Sequence, residues 1–350
     1  MVYHYFRRAF TIAVAVWTVG CGDDGAETVG EYIVEEVDTV VSLESQRLAA
    51  PSDVAVDEDG TVYVLDSQLA GVLVVPGADA DPVFHGGEGA GPGEFDGPLA
   101  IAVTRDTIRV VEAGNGRVQM LSTEGGYARS FPLAAGFLGG FSLSGDGHLA
   151  VPTQGFREEV LVLRYGPDGE PAGGVGEPVV PPHDMWDMRA ISSSIESGQV
   201  PASLRNMSLP VVEDDGSLWL ILQAEAIVRR YDPEGEPLWS TELRSPELAA
   251  IEESFFTRNR ELEVAAFIPL RYASDAVAVN GRLFVLLNTP TEDPATVLVL
   301  GAEGEMVARI VLPSVRNADE LAVDTERGKL YLTVPSDASL LAAALPELDG

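Results

Sequence analysis

A strand-turn-strand unit recurs along the chain and constrains the fold more than any other sequence feature. It is clearest at residues 56–66 (VDEDGTVYVLD) and 212–222 (VEDDGSLWLIL). Each unit joins two apolar strands through an Asp, Asn or Gly turn that tolerates positive φ. Related units lie at 103–112, 143–152, 279–287 and 323–334. Units of this kind, repeated at intervals of roughly 40 to 50 residues, predict an all-β fold, a six-bladed β-propeller.

The strong negative charge of the chain restricts its partners. The formal net charge is −33, with 55 Asp and Glu against 22 Lys and Arg. No basic stripe is present to neutralise phosphates, so nucleic acid is not an expected partner. The acids are scattered, and they fit either attraction of cationic ligands or, more simply, a solvated and self-repelling surface.

The first residues have the pattern of an export signal. Arg7 and Arg8 precede an apolar run at 9–19, which is too short to span a bilayer. The run ends at Gly20 and Cys21. This ending resembles the lipobox of bacterial lipoproteins, in which a small residue precedes the cysteine that becomes acylated.

Cys21 is the only cysteine, so the chain cannot form an internal disulfide. Thr18 departs from the Leu, Val or Ile that is usual three positions before a lipobox cysteine, and an ordinary cleavable signal is the alternative. We predict a lipoprotein-type signal peptide at 1–20, a lipid on Cys21 and an acidic tether at 21–30. The protein is then expected in the cell envelope, with the lipid as its only membrane contact.

The predicted strands leave the last blade incomplete. Six blades are expected to begin near Asp53, Leu99, Gly140, Leu209, Asp275 and Glu320. The last of them has three strands before the chain stops, and residues 31–43 alternate well enough to be its outer strand. We therefore predict a monomeric ring at 31–350, closed by this N-terminal strand.

Two connections between blades, 176–208 and 243–272, are much longer than the others. Both join an outer strand to the next inner strand, so both emerge on one face of the disc, where the channel mouth also lies. The second contains Ser-Pro-Glu at 245–247, a helix start that predicts a helix over 246–264. Insertions gathered on one face commonly build a binding surface.

The glycine-rich segment at 86–95 (GGEGAGPGEF) has two interpretations. A phosphate-cradling loop is one, but no Gly-Lys-Ser/Thr follows and the G-x-G-x-x-G spacing is not met. A tight crossover between blades is the other, with Phe95 filling the gap between them. We favour the crossover.

The Gly-Pro-Gly-Glu-Phe run, followed by an apolar strand and residues 111–119 (VEAGNGRVQ), resembles the six-bladed NHL-repeat propellers, and among them a group of exported bacterial lipoproteins. NHL blades often carry an acid followed by Asn-x-Arg-Val, here Glu112, Asn115, Arg117 and Val118. The motif match covers blades one and two. The resemblance implies a fold and a scaffold role, and no particular reaction.

Similar propellers include calcium-dependent lactonases and a zinc-dependent lyase, whose metals lie in the central channel. The resemblance therefore implies a metal-dependent hydrolase or lyase as the alternative function, with calcium as the first cofactor to consider. A site of three histidines is not expected, because His85, His148 and His183 lie in separate segments. The metal candidates at strand ends near the channel mouth are Asp66, Glu112, Asn115 and Asn288.

The exposed run at 183–188 (HDMWDM) is a further candidate site. His183, Asp184 and Asp187 could hold a metal, and Trp186 could stack on a ligand such as a sugar ring. Alternatively, the apolar side chains of this run anchor the insertion to the disc.

Motifs for nucleophilic catalysis are missing from the sequence, since neither G-x-S-x-G nor H-E-x-x-H occurs. We therefore predict a binding or scaffold propeller that engages a protein, peptide or glycan through the face with the insertions. A purely structural envelope component is a third possibility. The binding candidates are His183, Asp184, Trp186, Asp187, Glu112, Asn115 and Arg117.

Overall fold

The computed structural model describes residues 13–14, 29–77, 81–133, 140–154, 159–180, 187–262 and 266–348. In this part of the chain, strands form six sheets, and the only α-helices are α1 (Met188–Glu196) and α2 (Glu247–Glu261). The inner strand of each sheet contacts the inner strands of both neighbouring sheets, so the sheets form a closed ring. The predicted all-β, six-bladed propeller is confirmed.

The blades are consecutive antiparallel meanders along the chain. Blade one consists of β4 (Pro51–Val56), β5 (Val62–Asp66), β6 (Gly71–Val75) and β7 (Val83–Gly86), and blade two of β8 (Pro98–Val103), β9 (Thr107–Glu112), β10 (Arg117–Ser122) and β11 (Tyr127–Pro132). Blade three consists of β12 (Ser142–Leu143), β13 (Leu149–Pro152), β14 (Val162–Tyr165) and β15 (Pro171–Val175), and blade four of β16 (Ser208–Val212), β17 (Leu218–Leu222), β18 (Ile227–Tyr231) and β19 (Pro237–Glu242). Blade five consists of β20 (Ala273–Val279), β21 (Arg282–Leu287), β22 (Ala295–Leu300) and β23 (Met306–Leu312), and blade six begins with β24 (Leu321–Asp324), β25 (Lys329–Val334) and β26 (Ser339–Ala344).

The N-terminal segment closes the ring, as predicted. Strand β3 (Val37–Val41) pairs antiparallel with β26 and is the outer strand of blade six. The predicted single strand at 31–43 is nevertheless divided. Its first part belongs to β2 (Gly30–Ile33), which pairs parallel with β23 of blade five, and β1 (Ala13–Val14) pairs with the other edge of β2. The chain crosses between the two blades because Tyr32 and Val34 are buried in the core that blades five and six share.

The recurring sequence unit is a strand pair joined by a side-chain-stabilised turn. In blade one, Asp57 Oδ1 accepts the backbone N–H groups of Asp59 and Thr61, each at 2.9 Å. Gly60 follows with φ +81°, a conformation that strains residues with a Cβ. The Asp and Gly of the unit therefore set the turn.

The glycine-rich segment forms a crossover between blades one and two. Phe95 is fully buried there, in a cluster with Tyr63 and Leu65 of blade one and with Ile101 and Leu121 of blade two. The aromatic ring thus fills the gap between the two blades.

Both insertions carry a helix. The helix predicted at 246–264 is α2, and Ser245 bonds to the Glu247 side chain instead of capping the backbone. The helix α1 was not predicted. Its N-cap is Asp187, which accepts the N–H groups of Arg189 and Ala190.

The two helices share one apolar cluster with blades four and five, to which α1 contributes Ile191 and Ile195 and α2 contributes Ile251 and Phe255. No helix in the described ranges has the length and apolar character needed to cross a membrane.

Candidate functional site

Asp66, a candidate metal ligand, has both carboxylate oxygens occupied by backbone groups. Its Oδ2 accepts the N–H groups of Ala49 and Ala50 at 2.6 and 2.9 Å, and its Oδ1 accepts those of Gln68 and Leu69 at 3.0 and 2.8 Å. The side chain is fully buried. Asp66 therefore fastens the chain that enters blade one.

Glu112 is the centre of a second buried network. Its carboxylate accepts hydrogen bonds from Arg117 Nε at 2.7 Å, Asn115 Nδ2 at 2.6 Å, Gln119 Nε2 at 3.2 Å and the Asp96 N–H at 3.1 Å. The polar residues of the NHL-like motif thus bond to one another, and none of them lines the central channel.

The same network holds the glycine-rich crossover. Arg117 donates to the carbonyls of Gly91 and Glu94, and Asn115 donates to that of Gly89. Gln119 accepts the N–H of Gly93 and donates to Glu94. We conclude that the motif fixes the crossover against blade two.

Asn288 is the one metal candidate that reaches a cavity on the face with the insertions. Its Nδ2 donates to the carbonyl of Arg271 at 3.2 Å. The four metal candidates lie on blades one, two and five, and none of them lines the central channel. Within the described ranges, no three or more His, Cys, Asp or Glu side chains are grouped to hold a metal ion.

Several predicted site residues lie outside the described ranges, namely Cys21, His183, Asp184 and Trp186. Asp187 is described, and its carboxylate is used as the N-cap of α1.

A groove of about 820 Å³ lies between α2 and the loops of blades five and six. Volumes of this size are typical of sites for small molecules and short chains. The polar side chains that line it come from α2, from the chain that returns to blade five and from loops of the two blades, and they include Ser254, Arg258, Arg271, Ser274, Asn288, Asn317 and Asp319.

Asn259 holds the returning chain on α2. Its Nδ2 donates to the carbonyls of Phe255 and Ile268 at 2.8 and 2.9 Å, and its Oδ1 accepts the Ile268 N–H at 2.8 Å. These three hydrogen bonds, together with the burial of Phe255, hold the helix that carries Arg258 and the residues after Ile268 that lead to Arg271.

Arg258 and Arg271 differ from most arginines of the protein. The others are mostly held by carboxylates, carbonyls or rings, as in the pair of Arg309 with Glu247. In the described part of the chain, the arginines whose side chains have no hydrogen bond, ion pair within 4 Å or ring contact are Arg189, Arg244, Arg258 and Arg271. Two of these four line the same groove.

The central channel has a volume of about 550 Å³ and is lined by the inner strands of all six blades. Asp53, Asp275 and Glu320 occupy the same position at the start of the inner strands of blades one, five and six. Asp53 Oδ2 accepts the Ile101 N–H of blade two at 2.7 Å, and Asp275 Oδ2 accepts the Leu321 N–H of blade six at 2.9 Å. These carboxyls therefore join adjacent blades at the channel mouth.

Burial raises the pKa of each of the three carboxyls. Burial raises the pKa of Asp53 to about 8, and the charge of Asp275 adds to this effect. Burial likewise raises the pKa of Asp275 to about 6. The pKa of Glu320 lies well above its ordinary value through burial and through the charges of Asp275 and Asp53, and Glu320 hydrogen-bonds to Asp275. The cluster therefore retains protons near neutral pH.

The groove adjoins this carboxyl cluster. Ser274 and Asp319 line the groove, and the next residues in the chain are Asp275 and Glu320. Burial raises the pKa of Asp319, while the nearby charge of Arg271 lowers it. Groove and channel are thus separate cavities whose linings are adjacent in the chain at these two points.

The sequence analysis did not identify the groove arginines or the carboxyl cluster. A signal for the cluster exists, since an acid precedes the inner strand in SDVAV at 52–56, SDAVA at 274–278 and DELAV at 319–323. No sequence pattern distinguishes Arg258 and Arg271 from other exposed arginines.

Solved structures contain the same fold. One is a catalytically inactive variant of virginiamycin B lyase from Staphylococcus aureus with quinupristin, which is 11% identical over 89% of this chain and 99% of that chain, with a TM-score of 0.51. Another is a protein of unknown function from Bacteroides thetaiotaomicron, which is 12% identical over 88% of this chain and 75% of that chain, with a TM-score of 0.53. Identities this low show a common architecture alone. No protein-family model and no curated protein sequence matches the chain.

Proposed function

We propose that this protein is an exported, lipid-anchored binding propeller of the NHL type, which holds a protein segment, peptide or glycan in the groove between α2 and blades five and six. The observation that carries the proposal is a polar groove of about 820 Å³ lined by Arg258 and Arg271, whose guanidinium groups have no hydrogen bond and no ion pair within 4 Å. Guanidinium groups that face a cavity without an ion pair can bind a ligand directly, because no existing ion pair has to be broken first.

The position of the groove supports a binding role. One wall is α2, which is anchored through Ile251 and Phe255, and the opposite wall is the rim of a closed ring. A site on such rigid elements is largely preformed, so little ordering entropy is lost when a ligand binds.

A metal-dependent hydrolase or lyase is the second candidate function, and the contacts of the metal candidates favour it less. The oxygens of Asp66 and Glu112 already accept hydrogen bonds from N–H groups, and a metal ion would have to displace these donors. Losing several bonds to a buried carboxylate is costly. The described residues therefore favour binding over metal chemistry.

Filling the groove tests its role. We expect Thr257→Trp, on the exposed groove side of α2, to reduce by at least tenfold the compounds that the purified protein retains from a bacterial envelope extract, as measured by mass spectrometry. The added ring occupies ligand volume and leaves the core intact. Ser193→Trp, on the exposed side of α1 and outside the groove, is the matched control and should retain the wild-type set. Equal retention by both variants would place the binding site elsewhere.

The anchor has its own test. Cys21→Ser is expected to move the protein from the membrane fraction to the soluble fraction after fractionation, since it removes the acylated thiol. Intact-mass measurement of the wild type should show the lipid on a chain that begins at Cys21. A wild-type chain that is soluble and lacks the added mass would contradict the lipoprotein assignment and leave the groove proposal unaffected.

A further inference from the structure

We infer that the groove binds short peptides with both ends free, as zwitterions, with the peptide carboxylate on Arg258 and Arg271 and the amino group beside other acids of the groove lining. This inference rests on the proposed function and specifies the ligand class of the same groove.

The two arginines are the groups that we expect to bind the carboxylate end of the peptide. Both side chains are exposed and line the groove, and Asn259, next to Arg258 on α2, bonds to Ile268, three residues before Arg271. A guanidinium group presents a planar fork of donors that matches a carboxylate in a bidentate arrangement. Arg271 lies near Asp319 without an ion pair within 4 Å, so its donors remain available.

The acids of the groove are the groups that we expect to bind the amino end of the peptide. Its lining includes Glu253, Glu292, Asp293 and Asp319 besides the two arginines. A polyanion such as an acidic glycan would meet these four carboxylates and be repelled, whereas a ligand with one charge of each sign complements the lining. Asp319 already lies near the charge of Arg271, so Glu253, Glu292 and Asp293 are the acids open to a cationic group.

The middle of the groove suits a peptide backbone. Asn288, Asn317, Ser274 and Ser336 line it, and their side chains both donate and accept hydrogen bonds. Asn317 is held in the left-handed region with φ +54°, a conformation that Asn tolerates better than most residues. A groove of about 820 Å³ accommodates a chain of a few residues.

The test compares tetrapeptide pools that are randomised at their two central positions and differ only in their ends. Free, C-amidated, N-acetylated and doubly blocked pools are titrated at millimolar concentration into the full-length protein, and the shift in Tm is measured. We expect the free pool to raise Tm, either single block to weaken apparent binding by at least fivefold, and the double block to abolish the shift.

Substitution of an arginine tests whether the groove arginines bind the peptide carboxylate. In Arg271→Gln, the preference for the free pool over the amidated pool should shrink, because one of the two guanidinium groups that distinguish the pools is gone. Arg244→Gln removes one charge from an exposed arginine outside the groove and should behave as the wild type.

Equal shifts from the free and doubly blocked pools would overturn the zwitterion inference, yet would support a peptide groove if Thr257→Trp abolished them. No shift from any pool would also overturn the inference, while retention from the envelope extract tests the proposed function separately.

Discussion

Replacement of Glu112 by alanine is expected to lower the free energy of unfolding by about 3 to 4 kcal/mol. Glu112 is fully buried, and its carboxylate pairs with Arg117, whose side chain is only 16% exposed. Alanine would take the carboxylate partner from this guanidinium and one acceptor from each of the Asn115 and Gln119 amides, leaving them only backbone carbonyls. An uncompensated buried charge costs far more than the net value of the pair. Urea unfolding followed by tryptophan fluorescence measures the effect.

Two variants make this result interpretable. Glu124→Ala removes an exposed acid of the same blade and should change stability by less than about 0.5 kcal/mol. Glu112→Gln keeps one acceptor oxygen and should lie between the wild type and the alanine variant. If Glu112→Ala and Glu124→Ala were equally stable, the network would not fasten the crossover at 86–95.

The second large effect is a loss of stability as the pH rises from 5 to 8, which we expect to be about 2 kcal/mol. The folded-state pKa of Asp53 is about 8 and that of Asp275 is about 6, both above the ordinary value of 3.8. A carboxyl with a raised pKa binds its proton more tightly in the folded state. Its stabilising contribution is therefore complete below about pH 4 and is lost progressively as the pH rises to 8. Asp53, Asp275 and Glu320 are only partly buried, so solvent screens their charges and the effect stays well below the sum of the individual shifts.

Glu320→Gln isolates the cluster from other titrating groups. The amide can donate to Asp275 as the protonated Glu320 does, but it cannot ionise. We expect stability unchanged at pH 5 and a gain of about 1 to 2 kcal/mol at pH 8, or a few degrees in Tm. Glu124→Gln removes an exposed carboxylate and should keep the wild-type pH profile. Parallel profiles for all three proteins would show that the carboxyls at the channel mouth do not repel one another.

The architecture was predictable because it repeats. Each Asp-Gly turn between apolar strands is a local sequence signal, as at 57–60. Because this signal recurs at regular spacing along the sequence, it predicts a ring of similar blades. The N-terminal segment was harder, because β2 and β3 have similar alternation. The blade that each joins depends on where Tyr32 and Val34 can be buried, which is a property of the assembled ring.

The candidate site was less predictable for a related reason. Asp66 and Glu112 stand at strand ends, where ligands of a channel metal would be expected, but these side chains turn to donors of the neighbouring backbone and side chains. Asp53 and Glu320 are far apart in sequence and become neighbours only when the ring closes. Arg258 and Arg271 are distinguished by their lack of partners, which only the folded structure reveals.

Because β3 pairs with β26, the first strand of the ring has no neighbour on its own blade until the last strands have been made. Contacts between residues this distant in sequence form late and slowly. During folding, the blades would form an open arc whose free edges are exposed to other chains. Pairing of β3 with β26 completes blade six and covers these free edges. A chain that lacks β26 would keep the edges exposed and would be expected to aggregate.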